Sequence, residues 1–215
     1  MHLRRALLVA VSLAVSTQWA AAAPQVPERL KTVEKLTYCS GMDSPPLVSF
    51  DAAQKPRGLT VDLGLEIAKR LDNKQVQWRV IPFSGLVPAL LAGQCDMIVD
   101  QLFDKPERRQ VIDIVNYMYS SQAVVVPKGN PKALKTLDDL SAHKVAVLNG
   151  STIKTLLDAH NEALAKAGKA PMKVVVYNTD TDAFQALRIN QVDAYGTTVE
   201  TCLLYTSDAA DDMQC

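Results

Sequence analysis

The sequence has no excess of charge of either sign. Its 23 lysines and arginines balance 23 aspartates and glutamates, so no general field draws in nucleic acid or an anionic membrane surface, and binding to either would need a local patch. Beyond the first five residues there is no such patch. Also missing are the G-x-x-x-x-G-K-[ST] and G-x-G-x-x-G loops that cradle phosphates, the C-x-x-C pair of redox and zinc sites, and a serine in a G-x-S-x-G turn. Their absence removes the usual signatures of nucleotide binding, thiol exchange and hydrolase chemistry. The three histidines, His2, His143 and His160, are too scattered for a metal cluster or a catalytic triad. His143 reads as a loop residue and His160 as a helix-surface residue. No metal or cofactor is expected.

What is present is a globular chain of 215 residues, 48% of them apolar, enough for one or two domains with a substantial core. The N-terminus has the three parts of an export signal: basic MHLRR, apolar ALLVAVSLAVSTQWA, and small residues in AAAAP. The apolar part is interrupted by Ser, Thr and Gln and falls short of the roughly 18–20 residues that span a bilayer. Cleavage after Ala22 and export to the periplasm are expected. Of the four cysteines, Cys39 and Cys95 lie in the body of the chain. If their segments are neighbouring parallel strands, they sit roughly 13 Å apart at about 3.3 Å per residue, too far for a bridge. Two separate buried thiols are expected.

From residue 34 onward, short apolar strands alternate with amphipathic helices. KLTYCSG and QVQWRVIPF read as strands, and TVDLGLEIAKRLDN as a helix whose Leu63, Ile67 and Leu71 share a face. SGLVPALLAG reads as a helix capped by Ser84, with Pro88 tolerated in its first turn and Gly93 as its stop. CDMIVDQLF reads as a strand buried on both faces. The pattern restarts after residue 122, with strands in HKVAVL, MKVVVYN and QVDAYGTT and helices after NGST and at TDTDAFQALRIN. Repeated strand-helix-strand units imply an α/β fold in which each of two lobes has a parallel-dominated sheet. SSQAVVVPKGN joins the lobes as a crossing strand, and the cleft between them is the place for a small ligand.

Two stretches look built for an anion. In DQLFDKPERRQVIDI, Asp104 can cap a helix and Glu107 complete a capping box, which places Arg108 and Arg109 in a first turn where cations are disfavoured by the helix dipole. A guanidinium beside free helix N–H groups suits a carboxylate; the plainer alternative is two solvated arginines pairing with Glu107 or Asp113. NGST, residues 149 to 152, follows a strand and opens a helix, giving a second anion site on the other lobe, or merely an ordinary cap.

The segments GLTVDLGLEIAKRL, PFSGLVPALLAGQCDMIV, PERRQVIDIVNYMY, DLSAHKVAVLNGST and QVDAY, in that order over residues 35 to 200, resemble the periplasmic extracellular solute-binding proteins of family 3, which serve amino-acid transporters. The resemblance implies a two-lobed periplasmic binding protein of type II, non-catalytic and monomeric, that closes on an amino acid or similar zwitterion and presents it to the permease of an ABC transporter. Its domains would be a signal peptide (1–22), a first lobe (23–121) and a hinge strand with the second lobe (122–201). By this resemblance Arg108 clamps the ligand α-carboxylate, and the Thr152 backbone N–H, beside Ser151, shares it. Phe83 packs on the ligand side chain, and Gln101 and Phe103 line the cleft where the α-amino group is received. The same scaffold also hosts dehydratases of the cyclohexadienyl or arogenate type; that alternative needs an acid in the cleft, for which Asp100, Asp104 and Glu200 are the candidates.

The chain departs from the family pattern at several positions. Gly41 and Ser44 stand ahead of Pro45-Pro46 where an acid and an aromatic are usual. Lys105 replaces a threonine. Thr198 occupies the position of the aspartate that pairs the ligand ammonium, with Glu200 as a nearby substitute. The tail CLLYTSDAAD resembles the translation of a sequencing adapter, so residues 202–215 are expected to be foreign to the native protein, leaving the second lobe and hinge incomplete.

Overall fold

The computed structural model describes residues 26–72, 74–208 and 213–215, and the expected signal peptide lies outside them. In chain order the first lobe contains α1 (Glu28–Thr32), β1 (Lys35–Ser40), β2 (Asp43–Ser44), β3 (Val48–Phe50), β4 (Pro56–Arg57), α2 (Leu59–Arg70), β5 (Gln75–Val80), α3 (Leu86–Leu91), β6 (Met97–Ile98) and α4 (Pro106–Arg109). The second contains β7 (Gln122–Pro127), β8 (Lys144–Leu148), α5 (Thr152–Lys166), β9 (Lys173–Tyr177), α6 (Asp180–Arg188), β10 (Ala194–Thr198), α7 (Val199–Asp208) and β11 (Met213–Gln214).

The sheets follow the expected α/β plan. In the first lobe β5 and β6 flank β1, both parallel to it, and β2, β3 and β4 form a small antiparallel ribbon. In the second lobe β10, β8 and β9 are parallel neighbours, while β7 and β11 run antiparallel at the other edge. The crossing strand is thus β7, whose register sets Gln122 opposite Thr198. Asn149 and Thr198 consequently leave adjacent strands at the side facing the first lobe.

Several local expectations give way to tertiary contacts. On α2 the buried residues are Thr60, Val61, Gly64 and Ala68 rather than the Leu63, Ile67, Leu71 stripe. The helix lies so close to β1 that only small residues fit between. A Cβ on Gly64 would meet Val99 at 2.8 Å, and Tyr38 donates its hydroxyl to the Gly64 carbonyl at 3.0 Å. The strand expected over CDMIVDQLF is two residues long. It stops because the Asp100 carboxylate accepts from the backbone N–H of Gly41 and Gln101 and from the Ser40 hydroxyl, which bends the chain out of the sheet. Ser84 makes no cap; a short turn over Phe83–Gly85 precedes α3, while Gly93, at φ +67°, ends the segment as expected.

The capping box at α4 is also not formed. Asp104 instead binds Arg109 through both oxygens at 2.6 Å and receives Asn116, while Glu107 pairs with Lys105. With only one turn of helix, Arg108 and Arg109 lie in its last turn as well, so the expected conflict with a helix dipole does not arise.

The body cysteines are not free thiols. Cys39 and Cys95 form a disulfide with their Cα atoms 5.7 Å apart. The sequence-based separation assumed an extended chain through Cys95, but Cys95 belongs to the turn that returns α3 to the sheet, and the strand starts only at Met97. Both cysteines lie in the core beneath α3 with Phe83, Leu86 and Ala89. A second disulfide joins Cys202 to Cys215. The terminal residues are packed, with Tyr205 stacked on Phe184 at 3.9 Å between ring centroids and Met213 paired with Pro127.

Because the Cys39–Cys95 bridge closes a sequence separation of 56 residues, chain-entropy arguments give it about 4 kcal/mol. The C39A/C95A variant should lose that much in urea denaturation, and a thiol titration of unreduced wild-type protein should find neither cysteine reactive.

Candidate functional site

The segments that leave the carboxyl ends of β5, β6, β8 and β9 converge between the lobes with the end of β10. They enclose a small cavity of about 30 Å³, open on one side. Phe83, Gln101 and Phe103 line it from the first lobe; Ser151, Thr152 and Thr198 line it from the second. The sequence expectations therefore come together here in six cases.

Arg108 stands at the edge of the same site and bridges the lobes. Its Nη1 donates to the Phe103 carbonyl at 2.8 Å, its Nη2 to the Gly150 carbonyl at 3.1 Å, and the guanidinium lies 5.8 Å from the centre of the Phe83 ring. Burial pulls its proton affinity down from the usual value, yet an arginine stays charged. Both of its bonds are to neutral carbonyls, so the cation has unused capacity for an anion.

Opposite it, Ser151 caps α5 by accepting from the Lys154 N–H at 3.3 Å. Gly150 precedes it at φ +76°, a conformation glycine adopts without strain, and a Cβ there would meet the Ser84 backbone of the first lobe at 3.1 Å. The lobes are therefore in close contact at this point. The hydroxyl of Thr152 and the amide nitrogen of Gln122 are buried without a hydrogen-bond partner, and both residues line the cavity. Buried polar atoms are nearly always paired in native proteins, so two orphans in one cavity mark it as a place for a polar ligand.

Two expected positions serve differently. Ser44 does not line the cavity; it is buried and donates to Asp180 at 2.7 Å, joining β2 to the start of α6. Thr198 has its hydroxyl 3.5 Å from the Gln101 side chain and 3.2 Å from Thr201. The three carboxylates considered for acid chemistry are engaged elsewhere: Asp100 in the β1 loop, Asp104 with Arg109, and Glu200 as acceptor from Ser120 at 2.6 Å.

Sequence reasoning missed Asp43, Asp180 and Gln122. Asp180 lines the cavity, and its backbone N–H donates to Asp43 at 3.0 Å. Burial and the neighbouring Asp180 charge push the Asp43 carboxyl up to about 7, with Asp100 adding to the effect. Burial likewise raises Asp180 and Asp100. An acid opening a helix reads from sequence as an ordinary first-turn residue, which hid its place at the cavity wall.

The chain that carries this interlobe cavity is similar to known proteins. The model of the bacterial extracellular solute-binding proteins, family 3, fits residues 36–172. The chain belongs to this family. It is 31% identical over 189 residues to the lysine/arginine/ornithine-binding periplasmic protein of Escherichia coli K12, covering 87% of this chain and 65% of that one. Among solved structures, this family-3 chain is similar to holo ArgBP from T. maritima, with TM-score 0.78 and 27% identity, covering 87% of this chain and 79% of that one. It is also similar to the ancestral amino acid-binding protein AncCDT-1, a precursor of cyclohexadienyl dehydratase, with TM-score 0.70 and 27% identity over 82% of this chain and 75% of that one. The chain spans between 51% and 68% of the length of the curated relatives it matches. No described helix is long and apolar enough to cross a membrane.

The raised Asp43 carboxyl gives a signed pH dependence. Between the unfolded value of 3.8 and about 7 in the folded state, the folded protein holds a proton that the unfolded chain has lost. Stability from this group is therefore full below the lower value and falls as pH rises through the window. Asp43→Asn, which keeps the acceptor for the Asp180 N–H, should come close to wild type near pH 4 and exceed it by roughly 4 kcal/mol at pH 8 in denaturant titrations.

Proposed function

We propose that this protein captures an amino acid or similar small zwitterion between its lobes in the periplasm and delivers it to the permease of an ABC transporter. The observation that carries this reading is Arg108, a first-lobe cation bonded to the Gly150 carbonyl beside the N-terminus of α5 and next to the cavity that Thr152 lines. A ligand carboxylate lying between the guanidinium and the Ser151–Thr152 turn would gain charge-assisted bonds from both lobes at once. Such contacts exist only when the lobes are together, so the ligand shifts the population toward the closed form by the ratio of its affinities for the two states. The permease then has a closed surface to recognise. The export signal expected from the sequence and the periplasmic binding proteins among the relatives support the compartment and the ligand class.

A dehydratase reading is less well supported. The acids that the sequence suggested for it are held by Gly41, Arg109 and Ser120, and AncCDT-1 is itself described as amino acid-binding.

Calorimetry of the protein against L-arginine, L-histidine and L-glutamine should give saturable heat with at least one. Arg108→Ala should weaken that ligand by about 100-fold or more, the effect of truncating one partner of a buried charge pair, with little change in thermal midpoint. Unchanged affinity in a folded Arg108→Ala protein would remove the clamp.

A further inference from the structure

Resting on that reading, the geometry points to Asp180 as the residue that holds the α-ammonium of the ligand, in place of any group on β10. The position that the family resemblance associates with the ammonium is Thr198, a neutral hydroxyl engaged with Thr201. Its nearest acidic neighbour in sequence, Glu200, is turned onto Ser120. Neither places a carboxylate at the cavity. Asp180 does: it is 3% exposed and lines the same cavity as Thr152, Thr197 and Thr198.

The surroundings of Asp180 suit a visiting cation. Each of its oxygens accepts one neutral hydroxyl, Oδ2 from Ser44 at 2.7 Å and Oδ1 from Tyr195. Each keeps acceptor capacity, since an ionised carboxylate offers about four lone-pair sites. The Tyr195 hydroxyl also lies 3.0 Å from the Thr197 oxygen, which ties Asp180 to the cavity end of β10. None of the groups that act on Asp180, Asp43 or Asp100 is cationic. The acids face Tyr195 from β10 and Tyr205 from α7, neither of which supplies a positive charge. Two buried carboxylates, Asp100 and Asp180, beside the half-buried Asp43 and with no cation among the described groups that act on them, are costly to ionise, and an ammonium placed among them offsets that cost.

The cavity is thereby polarised. Arg108 and the N-terminus of α5 form its positive end, and Asp180 its negative end, with the aromatic rings of Phe83 and Phe103 among its walls. Gln122, whose amide nitrogen is buried without a partner, faces the same space from the hinge strand and can donate to a ligand oxygen. A molecule with adjacent carboxylate and ammonium groups fits this arrangement; a simple carboxylic acid satisfies only one end.

The test uses whichever of L-arginine, L-histidine or L-glutamine binds most tightly, together with its deaminated analogue, in which hydrogen replaces the α-amino group. Wild-type protein should bind the amino acid about 30-fold or more tightly than the analogue, the scale set by losing one member of a buried charge pair. Asp180→Asn should weaken the amino acid by a similar factor while changing the analogue less than about threefold, so that discrimination collapses. Asp180→Glu, which keeps the charge, should restore part of it. Asp180→Asn protein that still discriminates as wild type, or that stays folded yet loses both ligands equally, overturns the assignment. Wild-type protein that binds none of the three amino acids overturns the functional reading instead, and this assignment with it.

Discussion

A half-buried guanidinium with only neutral acceptors is the constraint around which the cleft is arranged. Arg108 reaches from a one-turn helix to the Phe103 carbonyl in its own lobe and to the Gly150 carbonyl in the other. Carbonyl dipoles hold the group in place without neutralising it, so its charge is directed at the space between the lobes. The rest of the local structure keeps that geometry. Asp104 takes Arg109 away to the surface, leaving a single arginine at the cleft, and the Gly150 backbone comes close enough to Ser84 that a Cβ there would press on it at 3.1 Å.

The acidic end is held by an equally indirect set of contacts. The β2 segment of the first lobe reaches α6 of the second through Ser44 and Asp43, one bonding the Asp180 side chain and the other its backbone N–H. Both ends of the cavity are therefore also points where the lobes touch. A group that changes the charge balance at Arg108 or Asp180 would therefore also act on the contacts between the lobes.

The parts of the site that were legible in the sequence are those set by local chemistry. Asn149-Gly150-Ser151-Thr152 reads as a turn and cap because a cap needs only its own neighbours, and the structure has Ser151 doing this. The strand-helix alternation placed both sheets, since periodicity reports which faces are buried. What failed depended on partners distant in sequence. Asp104 has good capping spacing but a better partner in Arg109, and the Cys39–Cys95 bridge depends on the path of a turn rather than on strand arithmetic. Asp180 was hidden for the opposite reason: an acid in the first turn of a helix satisfies a local rule, so nothing in the sequence marks it as also facing a cavity. Gln122 similarly reads as one polar residue at the start of a crossing strand, and only the register opposite Thr198 brings it to the site.

The two ends of the cavity act in opposite directions on the contact between lobes. Arg108 favours it, because its bond to Gly150 exists only when the lobes meet. Asp43, Asp100 and Asp180 oppose it when ionised, because the contact of β2 with α6 crowds like charges into a buried space. A binding protein needs such opposition, since a form that closed fully without ligand would admit none. Under the proposed function, a zwitterion would resolve both terms together. Its carboxylate would strengthen the arginine end and its ammonium would remove the repulsion at the acidic end, whereas a lone anion would act at one end alone.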